Sequence, residues 1–186
     1  FLENQLSEPI CVNNFNPKII SEWITKRQRK YPIFNNAYMM TGTHHLYNYL
    51  PTKHEKWLTM IKQEIIDSGL IIDILNAKTM EAVFRLLQGC SLLGSFLAYQ
   101  YTIDMNYSPY INFSENDFVK AGIGAIRGIK KCFLCYGNKC EDAIWYVKEH
   151  FNDLLKRYGY TSFHPLPGHE PTLIDLQNCF CETDKY

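Results

Sequence analysis

Apolar residues recur at helical spacing along almost the whole of this chain, and no segment alternates apolar with polar residues as a half-buried strand does. That periodicity narrows the architecture to helices packed on helices. Phe34, Tyr38, Met39, His45, Leu46 and Tyr49 fall on one helical face, and Trp57, Ile61, Ile65 and Ile66 on another. Thr79 is placed to cap a short helix over MEAVFRLL, and Ser91 and Gly94 separate it from a helix through FLAYQYTIDM. Ser114, with Asp117 three residues on, predicts a capped helix over ENDFVKA that Gly122 ends, and AIRGIKKCFL predicts the next. Residues 139–158 read as one strongly amphipathic helix carrying Ile144, Trp145, Val147, Phe151 and Leu154, while Pro171 suits the first turn of a last helix. The expectation is an all-α fold of about nine helices, with residues 1–186 forming a single domain and FHPLPGHEP (163–171) a long loop.

At 186 residues, 46% hydrophobic and 20% charged, the chain is long enough to bury a core and reads as ordered. Its 19 Lys and Arg balance 19 Asp and Glu for a net charge of +0. Contact with nucleic acid must therefore come from local patches and helix ends rather than from bulk positive charge. No apolar run approaches the ~18 residues of a membrane span. The chain opens on Phe1, as a trimmed or processed chain does, and no signal peptide is visible. Seven cysteines, an odd number in a chain of this size, fit a reducing, cytoplasmic setting better than a disulfide framework.

Chemistry-bearing residues are densest between Leu92 and Lys131. Gly94 and Ser95 stand at the mouth of a helix, where unpaired N–H groups and the helix dipole can receive a phosphate. The acids Asp104, Glu115 and Asp117 follow, then Gly122 and Gly124, then Arg127 and Lys130. A helix of about four turns can bring such acids back to the glycine turn. Tyr99, Tyr101, Tyr107, Tyr110 and Phe113 flank the acids and could wall a base.

Each feature also has a plain structural reading. Asp117 caps its helix or pairs with Lys120, Asp104 is a surface acid, and Gly122 and Gly124 form a cap and turn. The aromatic set is ordinary core, and the run from Lys26 to Lys30, with Arg27 and Arg29, is either a solvated helix face or a DNA-backbone contact. Of the adjacent His44 and His45, at most one faces a site on a helix. Cys132, Cys135 and Cys140, with Cys179 and Cys181, do not have the spacing of a four-cysteine cluster, so no metal and no cofactor is expected.

Gly94 followed four residues later by Ala98 resembles the second half of the helix-hairpin-helix unit of DNA glycosylases. In that family a catalytic aspartate follows the second glycine at about the distance from Gly94 to Ser114, close to Glu115 and Asp117. Leu92 stands where the unit has its first glycine, and Phe96 where bifunctional members carry a lysine, which argues against Schiff-base chemistry. GSFLAYQYTIDMNYS (94–108), AGIGAIRGIKKCF (121–133) and LIDLQNCFCETDKY (173–186) together resemble the helical DNA-hypermodification family. That family includes alpha-glutamyl/putrescinyl thymine pyrophosphorylases and the helical domain of 5-hydroxymethyluracil DNA kinases. KRQRKYPIFNNAY (26–38) sits where it has a basic, aromatic, Asn-containing stretch.

The resemblance implies a helix-hairpin-helix DNA glycosylase-like fold that acts on modified pyrimidines in DNA. On that footing Asp117 is the first candidate for the catalytic carboxylate, with Asp104 and Glu115 behind it. Tyr99, Tyr101, Tyr107, His45 and Asn36 are the candidates for binding a flipped base. Gly94, Ser95, Gly122, Gly124, Arg127, Lys130, Arg27 and Arg29 are the candidates for holding DNA. Glu182, Asp184 and Lys185 either complete the site or lock the last helix. The leading expectation is excision of a hydroxymethyl-derived or glycosylated pyrimidine, of use against phages with modified DNA. The alternatives are a transferase that replaces pyrophosphate on hydroxymethyluracil with an amine, and a non-catalytic helical DNA-binding module. DNA is the expected partner, with no membrane.

Overall fold

Side-chain caps open several of the helices in this computed structural model, which describes residues 9–34, 39–164 and 168–186. The Asn16 side chain accepts the N–H groups of Lys18 and Ile19, and Pro17 takes the first position, which opens α1 (Pro17–Gln28). Thr52 and Glu55 exchange reciprocal hydrogen bonds to open α2 (Lys53–Met60), which widens into a π-helical turn over Ile61–Asp67. Gly69, left-handed at φ 82, leads into α3 (Leu70–Asn76). Then come α4 (Met80–Gln88), α5 (Ser95–Asn106), α6 (Ile123–Cys132), α7 (Cys140–Glu149), α8 (Phe151–Arg157) and α9 (Leu173–Thr183). The described residues hold nine α-helices and no β-strand, as the periodicity requires. No helix among them is long and apolar enough to cross a membrane.

Several expected helices are corrected. The described part of residues 34–49 is not an α-helix but irregular chain with a short 3-10 turn at His45–Tyr47. Its carbonyls are taken by side chains of α2: Trp57 Nε1 donates to Thr41 and Lys56 Nζ to Gly42, each at 2.8 Å. ENDFVKA forms a turn and then irregular chain, so Gly122 starts α6 as its N-cap rather than ending a helix before it. The helix expected over 139–158 breaks at His150, where φ is -110 and ψ 16. There the His150 ring bonds the Tyr146 carbonyl through Nδ1 at 3.0 Å and stacks on the Tyr146 ring. Pro171 lies just outside the last helix, whose cap is Thr172.

The chain divides into two compact units. In the first, Phe1–Lys78 with Ala82–Met105, α1 packs on α2 and α3 on the π-helical turn, around a core that includes Trp57, Met60, Ile74, Phe84, Leu87 and Tyr99. Glu64 ties this unit together: Tyr47 Oη donates to its Oε1 at 2.5 Å and the Ser91 N–H to its Oε2 at 2.7 Å. Burial opposes ionisation of Glu64, but the bonds from Tyr47 and Ser91 outweigh it and hold the carboxyl below its usual range.

In the second unit, Thr79–Glu81 with Asn106–Tyr186, α9 packs against α6 and α7. The α6–α9 crossing has no room for side chains at two positions. A Cβ on Gly128 would stand 1.9 Å from the Phe180 carbonyl oxygen, and one on Gly124 2.6 Å from Cys181 Sγ. Arg127 Nε donates to Asp184 Oδ2 at 2.7 Å and Lys131 Nζ to the Asp184 carbonyl at 2.6 Å, which fastens the end of α9 to α6. Glu141, buried at the start of α7, accepts Lys120 Nζ at 2.7 Å and the Ala121 N–H at 3.1 Å.

Candidate functional site

Three stretches of the first unit meet around a cavity of about 230 Å³. Ile24 and Arg27 come from α1, Ile33, Phe34 and Met40 from the chain after it, and His54, Trp57 and Leu58 from α2. Ile61 in the π-helical turn and Tyr101 in α5 close the lining. The volume falls below the ~300–1,000 Å³ of sites for drug-sized ligands, which suits an occupant of one ring. Trp57 and Tyr101 meet edge to face, at 84° with centroids 6.5 Å apart, and the Trp57 indole N–H is fixed by its bond to Thr41. Cations stand on neighbouring rings: Lys53 Nζ lies 4.6 Å from the Phe34 centroid and the Arg27 guanidinium 4.5 Å from that of Tyr31.

The polar residue set deepest in this lining is His54, only 4% exposed. Its Nε2 lies 3.0 Å from Thr25 Oγ1 and 3.2 Å from Thr52 Oγ1. Burial lowers its pKa, against a smaller opposing pull from the Glu55 charge, so the ring is neutral at neutral pH. Burial and then the Asp104 carboxylate raise the pKa of Tyr101, which keeps its phenol protonated. The cavity thus offers aromatic walls, a neutral imidazole and an arginine. It contains none of Asp104, Glu115 and Asp117.

The acids singled out in the sequence are distributed otherwise. Glu115, Asn116 and Asp117 form a clasp on two helix starts. Asp117 Oδ2 accepts the Met80 N–H at 3.1 Å and so caps α4, not a helix of its own; its neighbour Lys120 pairs with Glu141 instead. Asn116 Oδ1 accepts the Leu173 N–H at 3.1 Å, and Glu115 shares the Thr172 hydroxyl with Asp175, at 3.0 and 2.9 Å. Asp104 is exposed on α5, one turn past Tyr101.

Of the candidates for base binding, Tyr101 lines the cavity, whereas Tyr99 is 1% exposed and packs edge to face on Phe84 in the core. Tyr107 is exposed, His45 sits exposed in the 3-10 turn, and Asn36 lies outside the described residues. Among the DNA candidates, Arg27 lines the cavity and Arg29 caps the exposed end of α1. Gly94 and Ser95 stand at the start of α5, with nothing within 4 Å of where a Gly94 Cβ would be. Gly122 caps α6, Gly124 faces Cys181, Arg127 is ion-paired with Asp184, and Lys130 is exposed. Among the described residues, no group of three or more His, Cys, Asp or Glu side chains is arranged to hold a metal.

Sequence reasoning named Arg27 and Tyr101 and passed over Phe34, His54 and Trp57. The signal available was Thr52-x-x-Glu55, a capping box that fixes the start of α2 and sets His54 and Trp57 in its first turns. Neither a curated protein nor a solved structure matches the chain. The family model for the 5-hmdU DNA kinase helical domain matches residues 1–186, and the chain belongs to that family.

Proposed function

We propose that this domain serves DNA base modification by binding DNA and holding one extrahelical pyrimidine of the 5-hydroxymethyluracil type in the cavity of its first unit. The observation that carries this reading is the one-ring cavity walled by Trp57, Tyr101 and Phe34 with Arg27 beside it. The family's description supports a DNA substrate with a modified base. A base must leave the stack before it can enter such a cavity, and stacking on aromatic walls is worth ~1–3 kcal/mol per base. Fluorescence anisotropy with duplexes carrying one 5-hydroxymethyluracil or one thymine tests it. Wild-type protein is expected to favour the modified duplex, and Tyr101→Ala to lose about tenfold in affinity for it while keeping its helical circular dichroism. Unchanged binding of both duplexes by Tyr101→Ala would sink the assignment.

A second reading, excision of the held base, is favoured by Asp104. Unlike Asp117, which caps α4, and Glu115, which is bonded to the Thr172 hydroxyl, it is exposed one turn from Tyr101 and close enough for its charge to act on that phenol. Excision predicts alkali-labile strand breaks in modified DNA that disappear with Asp104→Asn and persist with Asp117→Asn. Intact strands from wild-type protein would leave base holding without hydrolysis.

A further inference from the structure

The hydrogen bonds around His54 fix which of its nitrogens carries the proton. Thr52 has one hydroxyl hydrogen, and the Glu55 carboxylate takes it: Thr52 Oγ1 lies 2.6 Å from Glu55 Oε2. The same Oγ1 accepts the Glu55 N–H at 3.3 Å. Facing His54 Nε2 at 3.2 Å, the Thr52 oxygen therefore has only a lone pair to offer, and Thr25 Oγ1 at 3.0 Å can accept as well as donate, so the tautomer protonated at Nε2 is the one that satisfies both threonines. A neutral imidazole protonated at Nε2 has a bare lone pair at Nδ1. No residue among those described bonds Nδ1, and His54 lines the cavity.

We propose that His54 is the specificity-determining residue of this cavity, its unprotonated Nδ1 accepting the ring N–H of a uracil-class pyrimidine. The inference rests on the base-holding reading above and adds to it the edge by which the base is recognised. The ring N–H of uracil, between two carbonyls, meets that lone pair as a donor. Cytosine carries a lone pair of its own at the same ring position and sets it against Nδ1. Thr25 and Thr52 act as positioning residues: they hold the tautomer and do not touch the base.

Nitrogen NMR of the protein with 15N-labelled histidine tests the tautomer directly, and duplexes carrying 5-hydroxymethyluracil or 5-hydroxymethylcytosine test the recognition. In the free protein the His54 Nδ1 resonance is expected in the unprotonated range, and it should move toward the protonated range on addition of the 5-hydroxymethyluracil duplex. Wild-type protein should prefer that duplex over its cytosine counterpart roughly tenfold. His54→Leu should bring the ratio close to one, and His54→Gln, whose amide oxygen can accept, should keep most of it. A protonated Nδ1 in the free protein overturns the proposal whether or not the variants fold. Preferential binding of the 5-hydroxymethyluracil duplex with Nδ1 unmoved, or with an equal response to both modified bases, overturns the role of His54 alone. Absence of any preference for modified over plain DNA removes the base-holding reading and this proposal with it.

Discussion

At the scale of single residues, burial decides what a group can do. His54 is kept neutral by burial, so the folded protein takes up its proton at a lower pH than the unfolded chain, whose histidine titrates near 6.5. Stability should therefore fall as pH is lowered from about 6.5 and level off below the folded value. Urea unfolding across that range should show the decline in wild-type protein and a flatter profile in His54→Gln. Glu141 acts at more acid pH. Burial opposes its charge, but Lys120 and the Ala121 N–H hold its pKa below the ordinary 4.5. Its contribution is complete above that value and is lost as pH falls through the folded one. Glu141→Gln should reduce stability at neutral pH by about 1–3 kcal/mol and lessen acid sensitivity, both readable in the same urea series. None of this could be read from residue type, since Thr25 reaches His54 from α1 and Lys120 and Ala121 reach Glu141 from the chain before α6.

At the scale of helices, the α6–α9 crossing depends on the absence of two side chains. Gly128→Ala should destabilise at or beyond the upper end of the ~1–3 kcal/mol typical of overpacking, because the new methyl group meets backbone rather than a movable side chain. Thermal unfolding will show this, and a near-neutral result would mean the helices separate easily. The sequence made Gly122 and Gly124 prominent but gave no reason to single out Gly128, whose importance comes from Phe180 on a distant helix. Helix starts with local chemistry were legible: Thr79 before α4, Gly94 before α5 and the run into α6. The irregular chain over 39–44 was not, because its apolar spacing imitates a helix while Trp57 and Lys56 satisfy two of its carbonyls from elsewhere. For the same reason ENDFVKA read as helical. Ser114 and Asp117 resemble a local cap, yet Asp117 serves α4, and only the tertiary structure shows that. Of the cavity, Arg27 and Tyr101 were visible in charge and aromatic patterning, whereas Phe34 and Trp57 look like any core residue in the sequence.

At the scale of the whole molecule, equal numbers of positive and negative residues limit how DNA can be held. A plot of log affinity against log salt concentration should have a slope no steeper than about −3, that of a few phosphate contacts. A much steeper slope would move the contact surface to the cations of residues 26–30. The clasp at Glu115–Asp117 has a consequence of another kind. Its bonds join residues 37 and 57 positions apart, so they cannot close until long stretches of chain have already been brought together. Such contacts are absent from an early transition state. Asp117→Ala should therefore leave the refolding rate nearly unchanged and speed unfolding, so that the clasp governs how long the native state lasts rather than how fast it is reached.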